Sequence, residues 1–174
     1  GQIVASSIFE TKMNEKVPNN AFAILYRTNA QSRAMEEALR KRNIPYRIYG
    51  GTSFYQRKEV KDMLGYFRLA LNPNDEEALK RVINYPTRGI GDTSVEKILI
   101  AARDNDVSMW AIIEEISNNG IEIGINSGAK QRISEFATMI NSFRVMVATD
   151  NAYDVGQYIA QHCGLFKELY SDKS

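Results

Sequence analysis

From Phe54 to Cys163 apolar residues return at the three-and-four spacing of a helix, and only Asn, Pro and Gly interrupt them. "RKEVKDMLGYFRLALN" puts Val60, Met63, Leu64, Phe67 and Leu71 on one face and stops at Asn72-Pro73. "DEEALKRVIN" restarts with Asp75 as its N-cap and stops before Pro86. Further helices are predicted through "TSVEKILIAARDN", around "SMWAIIEEIS", from Gly128 to Val147 and from Ala152 to Cys163. A run of this kind buries its stripes only by packing helix on helix.

The pattern before it differs. Residues 2 to 13 predict a helix with Ile3, Ile8 and Met13 to one side, broken by "VPNN". "AFAILY", residues 21 to 26, is almost continuously apolar, as in a strand buried on both faces. "NAQSRAMEEALRKRNI" follows as a helix carrying Met35 and Leu39, with Asn29 or Ser32 available as its cap. "PYRIY" reads as a second strand closed by Gly50-Gly51. Strand, helix, strand with such short loops predicts a βαβ unit and a parallel sheet. The expected fold is an α/β piece over residues 1–72, then a mainly helical domain over 73–174.

The 174 residues suffice for one ordinary domain or two small ones. A net charge of +1 excludes a wholly basic nucleic-acid binder but hides an asymmetry. Residues 27–68 carry ten Lys/Arg against four Asp/Glu, whereas 104–126 carry five acids and no base. A single cysteine, Cys163, excludes an internal disulfide and a zinc site built from several cysteines. His162 beside it points elsewhere on a helix, so the pair reads as a structural cysteine and a surface histidine. No apolar run reaches membrane-spanning length and the first residues lack a signal pattern, which predicts a cytosolic chain.

No phosphate loop, paired-histidine metal motif or G-x-S-x-G elbow is present, so no catalytic residue, metal or cofactor is expected in this chain alone. Gly50-Gly51 reads as a turn. The remaining signals suit contact with phosphates. "YRTNAQSR" places Arg27, Thr28, Asn29, Gln31, Ser32 and Arg33 where the predicted strand meets a helix N-terminus, a place that favours anions. A plain helix cap beside solvated arginines is the alternative. "FYQRKEVKD" sets Phe54 and Tyr55 beside Arg57, Lys58 and Lys61, which suits base stacking or a hydrophobic anchor.

"YPTRGIGDTSVEKI" contains a Gly-Ile-Gly turn between two helices. Here Gly89 and Gly91 let a backbone come close, Ile90 enters the core, and Thr87, Arg88, Thr93, Ser94 and Lys97 surround the next helix start. That is the logic of a helix-hairpin-helix clamp on duplex phosphates. "NSGAKQRISEF" offers a second start of this kind, with Ser127, Gly128 and Lys130.

Taken in order, these segments resemble the superfamily-one DNA helicases of the UvrD/PcrA/Rep type, almost throughout residues 24 to 91 and more loosely beyond. The resemblance implies an internal fragment holding part of the RecA-like motor domain 2A and most of the inserted domain 2B. It implies a parent that unwinds DNA 3′ to 5′ using ATP and Mg, with the ATPase motifs outside this chain and the chain alone inactive. Arg27, Thr28 and Asn29 would then hold the tracking single strand, and Tyr55, Arg57 and Lys58 a DNA or interdomain surface. "TRGIGDTS" would hold the duplex ahead of the fork. Implied partners are DNA at a single-strand/duplex junction, the remaining motor domains, and repair or replication proteins; the implied location is the bacterial cytosol, at the nucleoid. The competing readings are a non-enzymatic helix-hairpin-helix module and a protein-interaction domain.

Overall fold

A computed structural model describes residues 1–49 and 53–171, without the side chains of Asn29 and Ser171. The chain divides into two compact units, residues 1–60 and 61–174.

The first unit contains α1 (Gln2–Glu15), α2 (Asn29–Lys41) and 3-10 turns at Asn19–Ala21 and Phe54–Gln56. Its core is small: Ala5, Ala38, Leu39 and Ile44, with Ile8, Ile24 and Tyr46 packed against them. Arg42 ties α1 to the end of α2 through a 2.7 Å bond to the Ser6 hydroxyl.

The predicted parallel sheet is absent: the described residues form no strand, and the class is mainly α in place of α/β. Residues 22–26 and 44–48 run without regular structure. Half-buried Phe22, Ile24 and Tyr26 alternate with exposed Ala23 and Leu25, and Leu25 is 96% exposed. This is a one-sided pattern, where the apolar run suggested burial on both faces. Hydrophobicity specifies a wish to be buried; a strand also needs a neighbour to take its N–H and C=O groups. Neither extended segment provides that to the other.

The division between the units falls within α3 (Lys58–Leu71). Beyond it come α4 (Glu76–Val82), α5 (Asp92–Asp104), α6 (Met109–Ser117), α7 (Ser127–Thr149), α8 (Ala152–His162) and the short, unanticipated α9 (Leu165–Ser171). The helices lie where the periodicity predicts them. Asp75, Ser108, Asn126 and Asn151 cap α4, α6, α7 and α8 by accepting first-turn N–H groups, which sets these starts locally. The 23-residue α7 packs on α6 and α8 and buries Ile133, Phe136, Ala137, Ile140 and Phe143 in the main core.

The link between α3 and α4 is braced. Arg68 bonds Asp75 at 2.8 and 3.0 Å and Glu77 at 2.8 Å, while Arg81 meets the buried Asp62 carboxylate at 2.8 Å.

Candidate nucleic-acid interface

The turn between α4 and α5 is built by four side chains. Asn84 Oδ1 accepts the N–H of Arg88 at 3.0 Å and of Ile90 at 3.1 Å, folding the segment back on itself. Ile90 is 0% exposed and plugs the turn into the core. Arg88 turns inward. It donates to the carbonyls of Val82 at 3.0 Å, Pro86 at 3.2 Å and Cys163 at 2.7 Å, and to the Tyr66 hydroxyl at 2.6 Å. Its guanidinium also lies over the rings of Tyr66 and Phe136. Tyr66 donates its own hydroxyl hydrogen bond to the Tyr85 carbonyl, and burial pushes its pKa far above the usual phenol value. The fourth side chain is Arg132 of α7, which donates to the Gly89 carbonyl at 3.3 Å.

The two glycines serve different ends. Gly89 has φ +74°, a left-handed backbone, and a Cβ there would stand 3.2 Å from the Arg132 guanidinium. Gly91 has φ −71° and ψ 161°, which any residue adopts, and a Cβ there would meet nothing within 4 Å. Its glycine is needed by no neighbour within the unit; it leaves open space.

That space lies at the start of α5. The N–H groups of Ser94 and Val95 bond the Gly91 carbonyl at 2.9 and 3.2 Å, but those of Asp92 and Thr93 precede any carbonyl the helix could offer. Unlike α4, α6, α7 and α8, α5 has no side-chain cap, because its cap residue is Gly91. Thr87, Gly89, Gly91, Asp92 and Thr93 are all exposed. The result is an uncovered helix N-terminus with its positive dipole end facing outward.

The lysines nearby are engaged. Lys97 Nζ donates to the Gly124 carbonyl, and Lys130 forms an ion pair with Glu122, whose carboxyl it holds below the ordinary range. The second predicted start, at Ser127 and Gly128, is capped by Asn126 Oδ1 at 2.9 Å from Ala129 N. It therefore offers an anion less than α5 does. Since Lys130 already has a carboxylate partner, Lys130→Ala is expected to lower duplex affinity less than twofold, measured by fluorescence anisotropy at low salt.

In the first unit, the cap of α2 is Thr28, and Gln31 Oε1 accepts the N–H groups of Arg27 and Thr28 at 3.0 and 3.3 Å. Arg27 is exposed, whereas Ser32 is 3% exposed and faces a cavity of ≈ 670 Å³ lined largely by apolar residues. Arg33 pairs with Glu37 at 2.9 Å and lies over the Phe54 ring; Arg57 lies over the same ring, and Arg40 over Tyr55. These rings carry guanidinium neighbours already. Lys58 is exposed at the start of α3. The Asn29 side chain and Gly50-Gly51 lie outside the described residues.

Glu36 organises this segment. Buried to 2% exposure, it accepts from the Tyr46 hydroxyl at 3.0 Å, from Phe54 N–H at 3.1 Å and from the Ser53 hydroxyl. Burial acts to raise its pKa, but these three donors outweigh it and the net shift is downward. A folded pKa below the unfolded one stabilises the unit above the ordinary glutamate range and loses that contribution as pH falls through the depressed value. A carbon-detected NMR titration is expected to place the Glu36 midpoint below an ordinary glutamate; a midpoint above it would contradict this bonding.

Asn84, Arg132 and Glu36 escaped the sequence reading. Asn84 was legible in part, as an Asx residue four positions before the arginine of a Gly-x-Gly turn. The other two act through partners remote in sequence. Cys163 is buried, with its thiol pKa pushed up by burial, and exposed His162 stacks on Tyr158.

The family model of the UvrD-like helicase C-terminal domain matches residues 2–152. The chain is 42% identical over 146 residues to the ATP-dependent DNA helicase PcrA of Bacillus subtilis (strain 168), covering 84% of this chain and 19% of that protein. It is 38% identical to the DNA helicase II of Haemophilus influenzae over 87% of this chain and 20% of that one. To the DNA helicase II of Escherichia coli (strain K12) it is 47% identical over 65% of this chain and 16% of that one. The chain thus spans about a fifth or less of the length of these relatives.

Proposed function

Because the chain belongs to the family of UvrD-like helicase C-terminal domains, we propose that it is the duplex-gripping portion of an ATP-dependent DNA helicase. The single observation that carries this reading is the uncapped, exposed start of α5 behind Gly91. The first-turn N–H groups of Asp92 and Thr93 and the positive end of the helix dipole lie beside a position where a Cβ would meet nothing within 4 Å, an arrangement that suits a phosphate. Such contacts hold a phosphodiester without reading a base. Ile90, Asn84 and Arg88 make the turn rigid, so little ordering cost falls on binding.

The parent, on this reading, unwinds DNA 3′ to 5′ in the bacterial cytoplasm. Arg27, Thr28 and Asn29 would hold its tracking strand, and Tyr55, Arg57 and Lys58 a surface toward DNA or another motor domain. ATP and Mg belong to that parent. The α5 start carries the acid Asp92 after Gly91, where a triphosphate cradle needs a lysine, so it does not fit a nucleotide.

The test is fluorescence anisotropy of labelled single-stranded, duplex and forked DNA with this chain across a salt series. Expected is duplex and fork binding that weakens with salt, with a log–log slope of about −0.9 per phosphate contact and two to four contacts, roughly. Asn29→Ala should leave duplex binding within about twofold while weakening any single-strand binding. A folded chain that binds no duplex at low salt would support the protein-interaction reading instead.

A further inference from the structure

Arg132 reaches the turn from α7, bonding the Gly89 carbonyl two residues before Gly91, and neither the turn motif nor its spacing points to it. It is exposed on α7, and its described bond is the 3.3 Å contact with the Gly89 carbonyl, long for an N–H···O bond. One guanidinium presents five donors in a planar fork, so a bidentate face remains for a phosphate. Beside it lies a notch of ≈ 270 Å³ lined by Arg88, Arg132, Glu135, Phe136 and Met139. Arg88 is turned to Val82, Pro86, Tyr66 and Cys163 and gives the notch little. Glu135 accepts from Gln131 at 3.0 Å and repels an anion from its own side. The attractive part of the notch is therefore the edge held by Arg132. Gly89 keeps that edge accessible, because a side chain there would press on the guanidinium.

We infer that Arg132 binds a second backbone phosphate of the same DNA strand, next to the one at the start of α5, and so sets the register of the duplex on the turn. This rests on the duplex-gripping reading above. Because both ligands are phosphates and no base edge is involved, the contact is independent of sequence and fully visible in the salt dependence.

The experiment uses the 174-residue chain and a labelled duplex, titrated at several salt concentrations. Compared are the unmodified chain, Gly91→Glu, Arg132→Ala, Arg132→Gln, Arg132→Lys and Arg103→Ala, the last removing an exposed charge from the far end of α5. Arg132→Ala is expected to bind about 10-fold more weakly at low salt, with the slope smaller by about one. Arg132→Gln, which keeps a donor for Gly89 but no charge, should lose the same slope. Arg132→Lys should keep the slope while losing part of the affinity, and Arg103→Ala should keep both. An unchanged slope in Arg132→Ala and Arg132→Gln overturns the inference, even if affinity falls, because Arg132 would then merely support the Gly89 carbonyl. Failure of the unmodified chain to bind duplex, or equal binding by Gly91→Glu, would instead sink the gripping reading and this inference with it.

Discussion

Gly91→Glu is expected to reduce duplex affinity by about 100-fold at low salt while leaving the melting temperature unchanged or slightly raised. The backbone at Gly91 already has a conformation open to any residue, and a Cβ there meets nothing within 4 Å. A glutamate at a helix start suits the helix, since its carboxylate faces the positive end of the dipole and the free N–H groups. Those are the groups a phosphate would take. The substitution thus closes the site with an internal anion and adds like-charge repulsion. Gly89→Ala separates the two glycines: its left-handed φ and its crowding against Arg132 make it a folding defect, with a lowered melting temperature. If Gly91→Glu bound duplex as well as the unmodified chain, the start of α5 would not be the grip.

Arg88→Ala is expected to destabilise the second unit by about 3 kcal/mol, lowering its melting temperature by roughly 10 °C. The loss is that of four charge-assisted bonds whose acceptors include the carbonyls of Val82, Pro86 and Cys163. The Tyr66 hydroxyl, 0% exposed at the residue level, would lose its donor as well. Arg88→Lys should fare little better, because an ammonium cannot span the same acceptors with a planar fork. Trp110 is the sole tryptophan and is 3% exposed in the core of the second unit, so its fluorescence follows this unfolding alone. An arginine that served only to touch phosphate would give the opposite pattern: weaker DNA binding and an unchanged melt.

The helical half of the chain was legible because its determinants are local. A cap such as Asp75 and a stop such as Asn72-Pro73 act within a turn or two of chain. The period of α3 was legible but its buried face was not: Asp62, Gly65, Tyr66, Leu69 and Ala70 are buried, Met63 and Phe67 pack at the edge of the core, and Leu64 and Leu71 of the expected stripe are exposed. The first unit misled for a related reason. "AFAILY" and "PYRIY" state a preference for extended, partly buried chain, but whether a sheet forms depends on which neighbour lies alongside, and among the described residues no ladder forms. The α2 cap is neither of the expected residues, Asn29 or Ser32, but Thr28, since Gln31 reaches back to complete it.

Sequence alone determined the family, the order and extent of the main helices, and the presence of a glycine turn poised before a helix start. Only the tertiary structure decided how that turn is used. It sends Arg88 inward to Tyr66 and Cys163, 22 and 75 positions away, and brings Arg132 to Gly89 across 43 positions. The reason is physical: dihedral preferences and caps are satisfied by neighbours in the chain. A side chain at a turn instead points toward whichever donors and acceptors the packed helices leave unpaired around it.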